Sequence, residues 1–112
     1  MIEELLKRIE RLEYHQQLLL DLINTEHYPF TKLIIQKEMD KEEVFEFYQL
    51  CEYMSNNLQE QKAEGFLNFY PLLKEFSEKL NRKLEVKETV ESCLQQNMYV
   101  ELMTEFQKYL SD

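Results

Sequence analysis

The chain has 112 residues, of which 1 is Gly and 2 are Pro. Average usage would give roughly eight Gly and five or six Pro. The chain therefore lacks the turn residues that the many turns of a β-sandwich or barrel require. A single Gly also excludes Gly-rich phosphate loops, the dinucleotide fingerprint and the nucleophile elbow. The net charge is -9, which repels phosphate backbones and anionic lipid. We therefore expect one all-α domain that binds neither nucleic acid nor membrane.

The first segment, residues 1–24, is predicted to be one long helix with a heptad pattern. Its seam alternates at intervals of three and four residues, as in a coiled coil. The helix would be about 33 Å long, which is more than the width of a domain this small. The seam is therefore a candidate oligomer interface. Its candidate residues are Ile2, Leu5, Ile9, Leu12, Gln16 and Leu19.

The two halves of this helix differ in their apolar surface. Residues 2–14 carry a narrow seam, and we expect this half to project from the domain and to offer the seam to another chain. Residues 18–23 are apolar nearly all round. Because a helix that is apolar on all sides is usually buried on all sides, we expect this second half to lie in the core.

The rest of the domain, residues 29–110, is predicted to complete a bundle of five to six helices. Asp40 followed by Glu43 is typical of a capped helix start, and Gly65 is placed to end that helix in a left-handed conformation. Pro29 and Pro71 each suit the first turn of a helix, where a missing N–H costs little. The predicted segments are about 29–38, 41–62, 86–96 and 98–110, with a further helix between 41–62 and 86–96 that Asn68 caps and Asn81 closes.

The histidines and cysteines do not form a metal-binding pattern. Helical di-metal sites need Glu-x-x-His on two helices, and neither His15 nor His27 has a carboxylate at that spacing. Cys51 and Cys93 lie far apart inside apolar patterns, which is typical of buried reduced thiols in a cytosolic protein. The sequence therefore predicts no metal, no cofactor and a cytoplasmic location.

No catalytic residue is assigned. A serine or cysteine nucleophile needs a nearby base and an orienting group, and no motif places them together. The chain contains 22 acidic residues, so carboxylate pairs at helical spacing arise by chance and are more often solvated surface. The aromatic residues accompany Glu and not Lys or Arg, which favours core packing over base stacking.

Gln16 is the most informative polar residue, and it has two interpretations. A polar residue at a heptad a position lowers stability but fixes register and oligomer state. Alternatively, Gln16 faces the margin of its own domain or the solvent. Arg8 at g would meet Glu13 at e of a parallel partner, which favours a parallel arrangement. His15 is interpreted either as a pH-sensitive interface contact or as a polar flank.

The stretch from Glu60 to Asn81, with Gly65-Phe66, Phe69, Pro71-Leu72-Leu73 and Phe76, resembles the YhaI-like family of small uncharacterised proteins from bacilli. The similarity extends over the whole chain, including the closing Leu102, Met103 and Phe106. The resemblance implies an all-α cytoplasmic protein whose family function is unassigned. It supplies no catalytic or binding residue.

Three functions remain open, and the first is preferred. The first is a non-enzymatic protein–protein interaction module that self-associates as a dimer, the commonest closed form, or as a trimer. The second is a small helical enzyme or ligand-binding protein with a cleft near His27 and Tyr28. The third is an acidic mimic of nucleic acid, which is ranked last because the acidic residues are spread over every segment.

Overall fold

The computed structural model describes residues 1–23 and 26–110. These two ranges contain six helices and no strand, which confirms the predicted all-α class and the long N-terminal helix. The predicted end of the first helix at residue 24 falls on residues 24 and 25, which lie outside the described residues. The helices are α1 (Ile2–Leu22), α2 (Pro29–Gln36), α3 (Lys41–Ala63), α4 (Tyr70–Lys79), α5 (Val86–Gln95) and α6 (Val100–Gln107).

The starts of three helices follow local chemistry. The Asp40 side chain accepts a hydrogen bond from the Glu43 amide at 2.9 Å, and the Glu43 carboxylate accepts one from the Asp40 amide at 3.0 Å. This reciprocal pair is a capping box, and it confirms the predicted start of α3. Pro29 and Pro71 lie in the first turns of α2 and α4, as predicted.

Gly65 ends α3 as predicted. Its φ is 90°, a conformation that costs a residue with a Cβ much more than it costs glycine. The Gly65 amide donates to the Lys62 carbonyl, and the Phe66 amide donates to the Gln61 carbonyl. These two bonds form a Schellman motif, so that carbonyls at the end of α3 are satisfied before the chain turns toward α4.

Asn68 holds the start of α4 but does not occupy the predicted capping position. Phe69 is the N-cap residue and forms no side-chain cap bond. Asn68 Oδ1 accepts hydrogen bonds from the Tyr70 amide at 3.0 Å and from the Tyr109 hydroxyl at 3.2 Å. The prediction was therefore wrong by one residue, because the Asn68 side chain bridges forward to α4 and across to the end of the chain.

Helices α2 to α6 enclose one apolar core. The principal packing pairs are α5 with α6, α2 with α5, and α3 with both α4 and α6. Both cysteines lie in this core as free thiols, as predicted. The core residues that are fully inaccessible to solvent are Cys51, Met54, Phe76, Val90, Cys93, Met103 and Phe106.

Helix α1 projects from this core. None of its residues is buried, and the molecule measures 62 Å in its longest dimension against 27 and 21 Å in the other two. A helix of 21 residues is about 31 Å long, which accounts for the elongation. The first half of α1 projects as expected.

The expectation that residues 18–23 lie in the core was wrong. Leu22 is 82% exposed, Leu18 and Leu19 are also exposed, and only Leu20 is partly covered. The physical reason is that α2 to α6 already fill the core with their own side chains. An all-round apolar pattern predicts burial, but it does not specify that the cover comes from the same chain.

Candidate interaction site on the N-terminal helix

The predicted seam residues all lie on the surface of α1. The exposed fraction of the apolar ones ranges from 45% at Ile9 to 75% at Ile2, and Gln16 is exposed as well. The apolar seam residues therefore form an exposed strip along the projecting helix, which Gln16 interrupts. Contiguous exposed apolar surface of this kind is typical of an interaction site.

Three further exposed apolar side chains adjoin this strip beyond the sequence-predicted set, and a fourth, Leu18, lies on the outward side of α1. Leu18, Leu22 and Ile23 were not predicted as surface residues because residues 18–23 were expected to lie in the core, whereas Leu6 belongs to the half that was expected to project. The hydrophobic pattern alone does not distinguish a helix segment that is buried in its own domain from an equally apolar segment that is exposed. These additional exposed residues are Leu6, Leu18, Leu22 and Ile23.

A cleft of about 870 Å³ separates the second half of α1 from α2 and the following turn. Its α1 wall is formed by Glu13, Gln16, Gln17 and Leu20. Gln16 therefore faces the margin of its own domain, which is the second of its two interpretations, and its place in an oligomer interface stays a prediction. The opposite wall consists of Ile34, Ile35, Gln36, Lys37, Glu38, Met39, Asp40 and Glu88.

A smaller pocket of about 270 Å³ lies beside Tyr28, close to the cleft expected for a ligand. His27 is exposed and does not line it. Among the described residues that line it, Tyr28 and Lys32 are the titratable ones. Its walls are formed by Leu20, Ile23, Tyr28, Thr31, Lys32 and Ile35.

The other candidate chemical groups do not converge on a site in the described ranges. His15 lies on the surface of α1 with its ring 6.0 Å from that of Tyr14. Burial raises the pKa of the Cys93 thiol to about 12 and also raises the pKa of Cys51, so both stay protonated and poorly nucleophilic. Residues 1–23 and 26–110 contain no group of three His, Cys, Asp or Glu side chains arranged to hold a metal.

The strongest electrostatic cluster is structural. Glu43 Oε1 accepts a hydrogen bond from Lys83 Nζ at 2.7 Å, and Glu43 Oε2 accepts one from the Asn81 side chain at 3.0 Å. The bond from Lys83, then those from the Asp40 amide and Asn81, lower the pKa of Glu43 to about 2. This cluster joins the start of α3 to the turn after α4, and its member Asp40 also lies in the wall of the larger cleft.

Within residues 1–23 and 26–110, none of the helices combines the length and hydrophobicity needed to cross a membrane. The model of a protein family described as "Protein of unknown function (DUF1878)" matches residues 2–111. The match includes α1 with its apolar strip as well as the helical core. The chain belongs to the DUF1878 family, a family of proteins of unknown function.

Proposed function

We propose that this chain is a non-enzymatic protein–protein interaction module of the bacterial cytosol, and that it self-associates through α1. The observation that carries the proposal is the exposure of the whole seam on a helix without a buried residue. Fully burying one leucine or isoleucine contributes about 1.5–3 kcal/mol. The covering of several such residues in each copy is therefore the driving force for association.

A second copy of the chain is the partner that fits this surface best. A heptad seam is complementary to itself, since each a or d side chain packs between four residues of a facing helix. A two-fold dimer uses the same surface on both subunits. A trimer around the same seam is the alternative assembly. We also propose that, within its family, the chain is related to the YhaI-like proteins from bacilli, which the stretch from Glu60 to Asn81 resembles.

The test compares two substitutions in α1 that are matched in exposure. Leu12 lies in the seam and Tyr14 lies outside it, and each is 63% exposed. We expect Leu12→Asp to shift the mass measured by multi-angle light scattering toward the monomer, because it places a charge in the buried layer. We expect Tyr14→Asp to leave the oligomer intact. A wild-type chain that is monomeric at tens of micromolar, or equal effects of the two substitutions, would contradict the proposal.

A further inference from the structure

The two flanks of α1 are not equivalent, and the difference bears on how two copies meet. The heptad is numbered with Ile2 at an a position. The residues of α1 that line the two clefts lie at e, a or b positions. They are Glu13 and Leu20 at e, Gln16 and Ile23 at a, and Gln17 at b. No residue at a d or g position lines either cleft. The rest of the domain therefore lies on the e flank of α1, and the g flank faces away from it.

Leu22 is the apolar side chain of the g flank. It is 82% exposed, more than any other leucine of α1. The pocket beside Tyr28 lies at the same height along the helix, on the opposite flank, with Leu20 and Ile23 in its wall. The chain therefore carries an uncovered leucine and an apolar pocket at one level of α1, and the two face in different directions.

From these positions we infer that two copies pair α1 in parallel and in register, and that Leu22 of the partner subunit occupies the pocket beside Tyr28. This inference rests on the proposed self-association. In a parallel two-stranded coiled coil, the e flank of one helix lies beside the g flank of the other. Residues with the same number stand at the same height. Each leucine then reaches the pocket of the opposite subunit.

The pocket suits an apolar side chain. Four of its six lining residues, Leu20, Ile23, Tyr28 and Ile35, present aliphatic or aromatic surface. Its volume is about 270 Å³, and an apolar cavity of about 150 Å³ already accommodates benzene. A leucine side chain therefore fits, and its burial removes apolar surface from water in both subunits.

The charged and polar residues of α1 favour the same direction. Arg8 at g comes beside Glu13 at e of the partner subunit, and within the described residues neither side chain forms an ion pair in its own chain. Gln16 at a faces Gln16 of the partner subunit, where each amide offers both a donor and an acceptor. An antiparallel pair would place Gln16 against a d-position leucine, which cannot satisfy a buried amide.

The parallel arrangement also leaves room for both domains. Each domain lies on the e flank of its own α1, and the two e flanks of a parallel pair point to opposite sides. The cleft of about 870 Å³ between α1 and α2 then opens toward the g flank of the partner helix. The assembly is closed, because the same contacts are formed twice around a two-fold axis.

The first test measures the contribution of Leu22 by sedimentation equilibrium. We expect Leu22→Glu to raise the dimer dissociation constant about a hundredfold. The substitution removes one buried leucine from each of the two pockets in the dimer. Leu18→Glu is the matched control, because Leu18 lies at an outward c position. We expect it to change the constant by no more than about twofold. Equal effects of the two substitutions on the constant, with helicity retained by circular dichroism, would overturn the assignment of Leu22.

The second test determines the direction of pairing. Leu5→Cys is oxidised in a glutathione buffer, and the native cysteines stay out of reach because both are buried. A parallel dimer places the two introduced thiols in one layer, so we expect a covalent dimer on a non-reducing gel. In an antiparallel dimer whose overlap includes Gln16, residue 5 faces residue 16 or 23, which separates the two thiols by at least about 16 Å, beyond the reach of a disulfide. Leu18→Cys controls for collisional cross-linking.

The two failures can be distinguished. A chain that is monomeric by sedimentation removes the proposed function and this inference together. A dimer in which Leu5→Cys is no more cross-linked than Leu18→Cys retains self-association and overturns parallel pairing. A cross-linked Leu5→Cys dimer, together with a selective effect of Leu22→Glu, is the result that we expect.

Discussion

Gln96 caps α2 from the far end of the chain, because its side-chain Oε1 accepts the Phe30 amide at 2.8 Å across 66 positions of sequence. The same oxygen accepts the Thr31 amide at 3.2 Å, and Gln96 Nε2 donates to Thr31 Oγ1 at 3.0 Å. The N-cap residue of α2, Tyr28, provides no side-chain bond of its own. Gln96 therefore fastens the helix that forms one wall of both clefts to the turn between α5 and α6.

Replacement of Gln96 tests this distant cap. We expect Gln96→Ala to lower the free energy of unfolding by about 1–2 kcal/mol, because it leaves amides of the first turn of α2 without their acceptor. The measurement is urea denaturation followed by circular dichroism. Gln107→Ala, at an exposed position of α6, is the control. Identical transition midpoints for the two variants would show that Gln96 does not stabilise α2.

The Glu43 cluster predicts a dependence of stability on pH. The pKa of Glu43 is lowered from 4.5 to about 2 in the folded chain, so its ionised form is favoured by folding. This contribution is fully present above the ordinary pKa and is lost as the pH falls from about 4.5 toward 2. We expect Glu43→Gln to lower stability at neutral pH and to flatten the decline of the unfolding free energy in acid.

Glu42→Gln is the control for that measurement, since Glu42 is an exposed neighbour in the same first turn of α3. Both substitutions remove one carboxylate near the start of the helix, but only Glu43 contacts Lys83 and Asn81. Urea titrations at several pH values between neutrality and acid provide the comparison. A Glu43→Gln variant whose pH profile matches that of Glu42→Gln would contradict the role given to the cluster.

Two phenylalanines of the helical domain differ greatly in burial. Phe106 is fully buried, with its ring centroid 5.0 Å from that of Phe76, whereas Phe45 is 59% exposed. We expect Phe106→Ala to cost about 3–5 kcal/mol, because it removes buried contacts and leaves a cavity. Phe45→Ala is expected to cost less than about 1 kcal/mol. Thermal melting distinguishes them, and comparable losses would contradict the position of the core.

The buried thiols provide a test that needs no mutation. Cys51 and Cys93 are inaccessible to solvent, and burial raises the pKa of both. We expect neither to react with a thiol-specific colorimetric reagent in native buffer. Both are expected to react when urea unfolds the chain, since the thiolate is the reactive form and needs access. Rapid labelling of the folded protein would contradict the assigned core.

The helix ends were predictable because their chemistry is local in sequence. Asp40 with Glu43, and Gly65 after α3, need only their immediate neighbours to form the observed caps. The start of α4 was predicted one residue too early, because Asn68 also accepts a hydrogen bond from the Tyr109 hydroxyl, which is 41 positions away. Gln96 as the cap of α2 was not predicted at all, since nothing in the local sequence links it to Phe30.

The candidate site was predictable in its composition but only partly in its extent. The heptad spacing selects the seam from Ile2 to Leu19 because the period of a helix is known beforehand. The exposure of Leu18 and Leu22 depends on whether other helices of the chain cover them, which is a tertiary property. The pocket beside Tyr28 is formed by residues from two helices and by the segment between them, so no single periodic pattern indicates it.

Sedimentation equilibrium of the intact chain, beside a chain that begins at residue 15, tests self-association through α1 most directly. No residue of α1 is buried, so removal of residues 1–14 does not disturb the core. At tens of micromolar we expect the intact chain to have a mass of about 28 kDa, twice its 13.8 kDa, as a two-fold dimer, and the shortened chain to be a monomer. An intact chain that remains at 13.8 kDa, or a shortened chain that associates equally well, would contradict the account.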